Sequence, residues 1–149
     1  MVRKGADAVE LAAEIAEYRQ GRGVAARLVG EFRRAVLLVP YADGSDGGLM
    51  SAVSGGIRWL YAFTDEEALA RFAAARGQAD REWPYLSILG ARLVDAVVPD
   101  VDGPAGIAVN VADADGSMLF PPVAGIVPDA SAVDLRAGGA APAGAGEAS

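Results

Sequence analysis

The sequence predicts an α+β fold: an antiparallel or mixed β-sheet of about five to six strands, with helices packed against it and two helices at the N-terminus. Three observations carry this. Apolar residues recur at helical spacing twice in the first third of the chain. From residue 35, short apolar runs are separated by turns too short to hold a crossover helix, which favours antiparallel or mixed pairing over repeated βαβ units. A helix-capping sequence then interrupts the series of strands.

Leu11, Ile15 and Tyr18 mark a helix from about Asp7 to Arg19, and Gly21 and Gly23 punctuate its end. Val24, Leu28 and Phe32 mark a second, whose C-terminal dipole suits Arg33 and Arg34. Ala35 to Val39 is a fully apolar run, as expected of a central strand, and Pro40 ends it. A polar loop from Tyr41 to Gly48 leads to a strand at Leu49 to Val53. Ser54-Gly55-Gly56 turns the chain into a third strand, Ile57 to Phe63. Alternation puts Trp59, Tyr61 and Phe63 on one face, and Arg58, Leu60 and Ala62 on the other.

Thr64-Asp65-Glu66-Glu67 has the form of a capping box, with Thr64 as N-cap and Glu67 reaching back. Leu69, Phe72 and Ala73 supply an apolar side, Glu67 and Arg71 an i,i+4 pair, and Gly77 a C-terminal stop. Tyr85 to Leu89 reads as a strand and Gly90 to Val98 as a helix closed by Pro99. Ala105 to Val111 and Ser117 to Phe120 read as a hairpin turning near Asp115-Gly116.

At 149 residues the chain suits one core without disulfides or metals. Residues 1–23 read as an N-terminal helical extension and 24–136 as the α+β domain. Residues 137–149, rich in Gly, Ala and Pro with no large apolar side chain, read as a disordered tail. No signal peptide or membrane span is expected, because Asp7, Glu10, Glu14 and Glu17 interrupt the N-terminal apolar residues. A cytoplasmic location is expected. Arg outnumbers Lys twelve to one, a bias expected of a GC-rich, actinobacterial coding sequence.

The formal net charge is −7, which disfavours nucleic acid and anionic lipid as partners. There is no Cys and no His. Disulfides, thiol catalysis, the usual neutral-pH base and the usual zinc or copper ligands are therefore absent from the chain's chemistry. No cofactor is expected. Lys4, the only Lys, lies at the N-terminus, so the Ser and Thr hydroxyls have no apparent activating base.

Val36 to Pro40 and Arg58 to Leu69 resemble the SseB N-terminal domain family, named for enhanced serine sensitivity. So do Leu89 to Leu93, Gly106 to Asn110 and Leu119 to Pro122, and the likeness runs from Val24 to Pro122. The strand-to-helix junction Trp59 to Leu69 is its most specific part. The resemblance implies protein binding, since relatives are associated with bacterial secretion and toxin–immunity contexts. It implies no catalytic residues, because the family has no agreed activity. Longer members continue beyond one such domain, whereas here a tail follows.

The remaining motifs have bland explanations. Asp95, Asp100 and Asp102, like Asp43 and Asp46, read as solvated loop acids rather than a catalytic pair. Asp113-Ala114-Asp115-Gly116 lacks the ligand spacing of a calcium loop and reads as a turn. Gly44 to Gly48 and Gly55-Gly56 lack the Gly-Lys-Ser/Thr of a phosphate loop.

Two surfaces are candidates for partner binding. Glu10, Glu14 and Glu17, with Asp7, form an acidic stripe on the first helix, suited to a basic protein. Trp83 and Tyr85 flank Pro84 in an expected loop, where aromatics would serve either as binding anchors or as packing at a domain edge. Trp59, Tyr61 and Phe63 read as core. The function expected is a non-catalytic protein-binding module, an immunity-like or secretion-associated adaptor. The alternatives are a small-molecule-binding regulator for an amino-acid-like ligand and a carboxylate-dependent enzyme.

Overall fold

The computed structural model describes residues 3–42 and 48–134. The tail from Ala137, and Asp43 and Asp46, lie outside the described residues, as do the side chains of Lys4 and Asp7.

Two helices open the chain, α1 (Arg3–Arg19) and α2 (Ala25–Arg34). β1 (Val36–Pro40), β2 (Ser51–Ser54) and β3 (Ile57–Ala62) follow, then α3 (Glu66–Ala75) and β4 (Tyr85–Leu89). The next helix, α4, joins Gly90–Arg92, a π-helical stretch Leu93–Val97, and Val98–Asp100. Pro99 thus sits inside its last turn instead of closing it. Pro is tolerated there because the wider π turn precedes it, and Val101 ends the helix in an extended conformation. β5 (Ala105–Val109) and β6 (Met118–Phe120) form the expected antiparallel hairpin.

The fold is α+β, and among the described residues six strands divide into two sheets. β1 and β4 pair antiparallel. The other sheet has the order β2-β3-β5-β6 and is mixed, since β3 and β5 run parallel. Leu38 and Phe63 bridge the two sheets, exchanging hydrogen bonds of 2.9 and 2.8 Å, and Met50, just before β2, donates to the Pro40 carbonyl at 2.8 Å. β2 and Met50 occupy this edge of β3 as far as Tyr61, whose N–H bonds the Met50 carbonyl at 3.2 Å, and beyond Phe63 the chain turns into α3, which leaves Phe63 to meet β1.

The helices cover both faces. On one, Leu11 and Ile15 of α1 are fully buried with Phe32 of α2, Leu93 and Val94 of α4, and Leu37, Leu60, Ile107 and Val109 from the strands. Phe32 stacks on Phe120 with ring centroids 4.4 Å apart. The helix read as an extension therefore packs into the same core as the rest. Tyr18, on its expected apolar side, is exposed, and Val24 is the exposed N-cap of α2. On the other face α3 buries Leu69 and Phe72 against Leu38, Met50 and Phe63.

The strand alternation explains how one run serves both layers. Leu60 and Ala62 face α1, α2 and α4, while Tyr61 and Phe63 face α3. Phe63 is fully buried and Tyr61 half-buried, their rings 5.1 and 5.2 Å from that of Phe72. Trp59 lies over Gly106, where a Cβ would approach its ring to 2.7 Å.

Candidate functional site

The start of α3 differs by one residue from the expected capping box. Thr64 is buried and not the N-cap: its N–H donates to Asn110 Oδ1 and its Oγ1 accepts from Asn110 Nδ2, both at 3.0 Å. With Thr64 so held, Asp65 becomes the N-cap, its carboxylate accepting the Ala68 N–H at 2.8 Å. That shift puts Ala68, not Glu67, at the third helical position. The reciprocal bond expected of Glu67 therefore does not form, and Glu66 and Glu67 stand exposed in the first turn, where the helix dipole favours negative charge.

Arg71, the expected partner of Glu67, instead makes a bidentate bond with Asp113 at 2.7 and 2.9 Å. The Asp113 carboxylate raises the Arg71 pKa, chiefly through that hydrogen bond. Asp113 thereby ties the β5–β6 connection to α3.

A groove of about 460 Å³ opens beside Val36. Its floor is Val36 and Leu38 of β1 with Tyr85 of β4, and its wall is Thr64 to Glu67. The floor is thus apolar and aromatic, and the wall carries three successive carboxylates. The Tyr85 hydroxyl donates to Glu66 Oε2. That bond, followed by desolvation and the carboxylate's charge, raises the Tyr85 pKa, so the phenol stays protonated and donating. A second hollow of about 230 Å³ continues past Glu66 and Tyr85 towards Leu69, Ala73, Arg81 and Trp83.

Trp83 and Tyr85 come together with these acids, although not as a free aromatic loop. Trp83 is half-buried, edge-on to Phe72 at 5.7 Å, with its Nε1 donating to the Gln78 carbonyl at 3.0 Å and the Arg81 guanidinium 4.6 Å over its ring. Tyr85 opens β4. Both belong to the margin of the α3 core, so they hold structure as well as line a surface.

The acidic stripe lies on α1, which packs on the opposite face of the sheets from α3. Glu10 is exposed. Glu17 is held by Arg22 at 3.0 and 3.2 Å, and this partner depresses its pKa. Glu14 lies 3.8 Å from Arg27. Two of the three carboxylates thus have cations from the α1–α2 turn and the start of α2 beside them, which weakens the stripe as a field. Asp95 pairs with Arg33 at 2.7 Å, while Asp100 and Asp102 are exposed. Among the described residues no three acidic side chains converge as metal ligands. No described helix is long and apolar enough to cross a membrane.

The groove acids Asp65, Glu66 and Glu67 were present in the sequence as a capping signal. Nothing local shows that β1 and β4 supply an apolar floor beneath them, since those strands are distant in the chain. A family model described as SseB protein N-terminal domain matches residues 11–123. The match begins within α1, earlier than the likeness read from Val24. No curated protein and no solved structure matches the chain.

Proposed function

The chain belongs to the SseB N-terminal domain family, and on that premise we propose that it is a non-catalytic protein-binding module, an immunity-like or secretion-associated adaptor. The groove at the start of α3 is its docking site for a basic side chain of the partner. One observation carries the reading: three carboxylates stand over a floor of Val36, Leu38 and Tyr85. Lys and Arg pair an apolar stem with a cationic head, and this wall and floor complement both parts. The net charge of −7 would speed encounter with a basic partner and make it salt-sensitive. The groove's volume favours a second reading, a small amine of amino-acid size, because it falls within the range of about 300–1,000 Å³ common for ligand sites.

The test is comparative capture. The wild-type chain and a Glu67→Lys variant, both folded by circular dichroism, are used as baits in lysate of the source organism. A protein retained by the wild type in low salt and lost with Glu67→Lys supports the adaptor. Equal retention by both baits, or a small amine co-purifying with the wild type in place of any protein, sinks it.

A further inference from the structure

β4 forms an open margin of the fold. Among the described residues, β1 is its only hydrogen-bonded neighbour. The register decides which amides the ladder uses. Tyr41 N donates to Pro84 O at 3.1 Å and Gly90 N to Ala35 O at 2.9 Å, one at each end of the pair. Antiparallel bonding alternates, so Leu86 and Ile88, opposite Val39 and Leu37, direct their N–H and C=O groups into the ladder. Tyr85, Ser87 and Leu89 direct theirs outward.

Sheet edges are ordinarily guarded by a charge, a proline, a bulge or extreme shortness. Tyr85-Leu86-Ser87-Ile88-Leu89 carries no charge and no proline, and pairs with β1 without a bulge. Leu89 is 41% exposed. The other sheet's margins are shorter, four residues in β2 and three in β6.

Unguarded among the described residues, this edge adjoins the acidic groove. Tyr85, Ser87 and Leu89 lie opposite Pro40, Leu38 and Val36, so their side chains share the face that floors the groove. A strand laid along the outside of β4 would place every second side chain on that face, beside Glu66. We infer that the partner docks by β-strand addition: an extended segment pairs with the outer edge of β4 and seats an alternating Lys or Arg against Glu66 and Glu67. This rests on the protein-binding reading above and specifies the partner's conformation. Charge complementarity selects the occupant. A second copy of this chain would bring no cation on its own β4 and would add another net charge of −7.

The experiment uses the full chain and a synthetic peptide alternating Lys with Thr or Val. Two further versions carry N-methyl groups on every second backbone amide, in one phase or the other. N-methylation removes backbone donors and leaves the side chains unchanged. Strand addition predicts that one phase weakens binding by about tenfold or more, while the other is tolerated. It also predicts slowed amide exchange at Tyr85, Ser87 and Leu89 on binding. Ser87→Pro, which removes only an outward N–H, should fold and lose the peptide. Equal binding by both N-methylated versions, with loss on Glu67→Lys, would overturn strand addition while leaving the acidic groove as a protein site. Absence of binding by the unmodified peptide would overturn the inference too, and the captured partner then decides the broader reading separately. A dimer abolished by Ser87→Pro would assign the edge to a second copy and likewise overturn it.

Discussion

Asn110 holds Thr64 by both backbone and side chain, its amide oxygen accepting the Thr64 N–H and its amide nitrogen donating to the Thr64 hydroxyl, each at 3.0 Å. Both residues are buried, and Asn110 has φ 52°, a left-handed conformation that Asn tolerates better than most residues. Its own N–H bonds the Ala62 carbonyl at 2.9 Å. The end of β5 thus fixes the corner where β3 becomes α3, and with it the acidic wall of the groove.

Asn110→Ala is expected to destabilise the fold by about 2 kcal/mol, since it leaves a buried Thr64 N–H without an acceptor. Thr64→Ala should cost less, because the backbone bond survives. A double-mutant cycle by urea denaturation measures the coupling between them. Additive effects would show that the two side chains do not act as one clamp.

Asp65→Ala should cost about 1 kcal/mol through loss of the cap on the Ala68 N–H, while Asp65→Asn should be nearly neutral. Equal denaturation midpoints for wild type and Asp65→Ala would refute the cap.

Gly90→Ala should be severe. A Cβ there would collide with the carbonyl oxygen of Phe32, a backbone atom that cannot swing aside. α4 would have to shift from α2, costing about 1–3 kcal/mol or more. A melting temperature close to that of the wild type would show that the helices yield.

Arg33 depresses the Asp95 pKa, chiefly by hydrogen bonding. A carboxylate whose folded pKa lies below its unfolded value contributes stability above the unfolded value. That contribution is lost as pH falls through the folded value. Asp95→Asn should therefore remove stability at neutral pH and flatten the decline in acid below the usual Asp range. The pair is roughly half exposed, so screening limits the effect to about 0.2–1 kcal/mol. Identical stability–pH curves for the two proteins would contradict this.

Trp83→Ala should lower stability by about 1–3 kcal/mol, since it strips a half-buried ring from Phe72. Tyr85→Phe keeps the aromatic floor and removes only the bond to Glu66. It should leave the melting temperature within a few degrees of wild type while reducing retention of a captured partner. If both variants melt normally, the aromatic pair is peripheral to the α3 core.

The sequence by itself determined the element order, because helix and strand periods are local. The spacing of Leu11 and Ile15, the apolar run ending at Pro40 and the Asp115-Gly116 turn each suffice to place an element. The zero counts of His and Cys likewise limit the chemistry without reference to any fold. The tertiary structure decided what depends on distant partners. Thr64 and Asp65 compete for one cap, and Asn110, far along the chain, settles it by bonding Thr64. Arg71 has Glu67 one turn away, yet Asp113 meets its guanidinium with two hydrogen bonds. The opening beside Val36 that makes the groove follows from the same corner. Local pattern cannot foresee it, because a short polar side chain takes whichever partner the packed core brings within hydrogen-bonding distance.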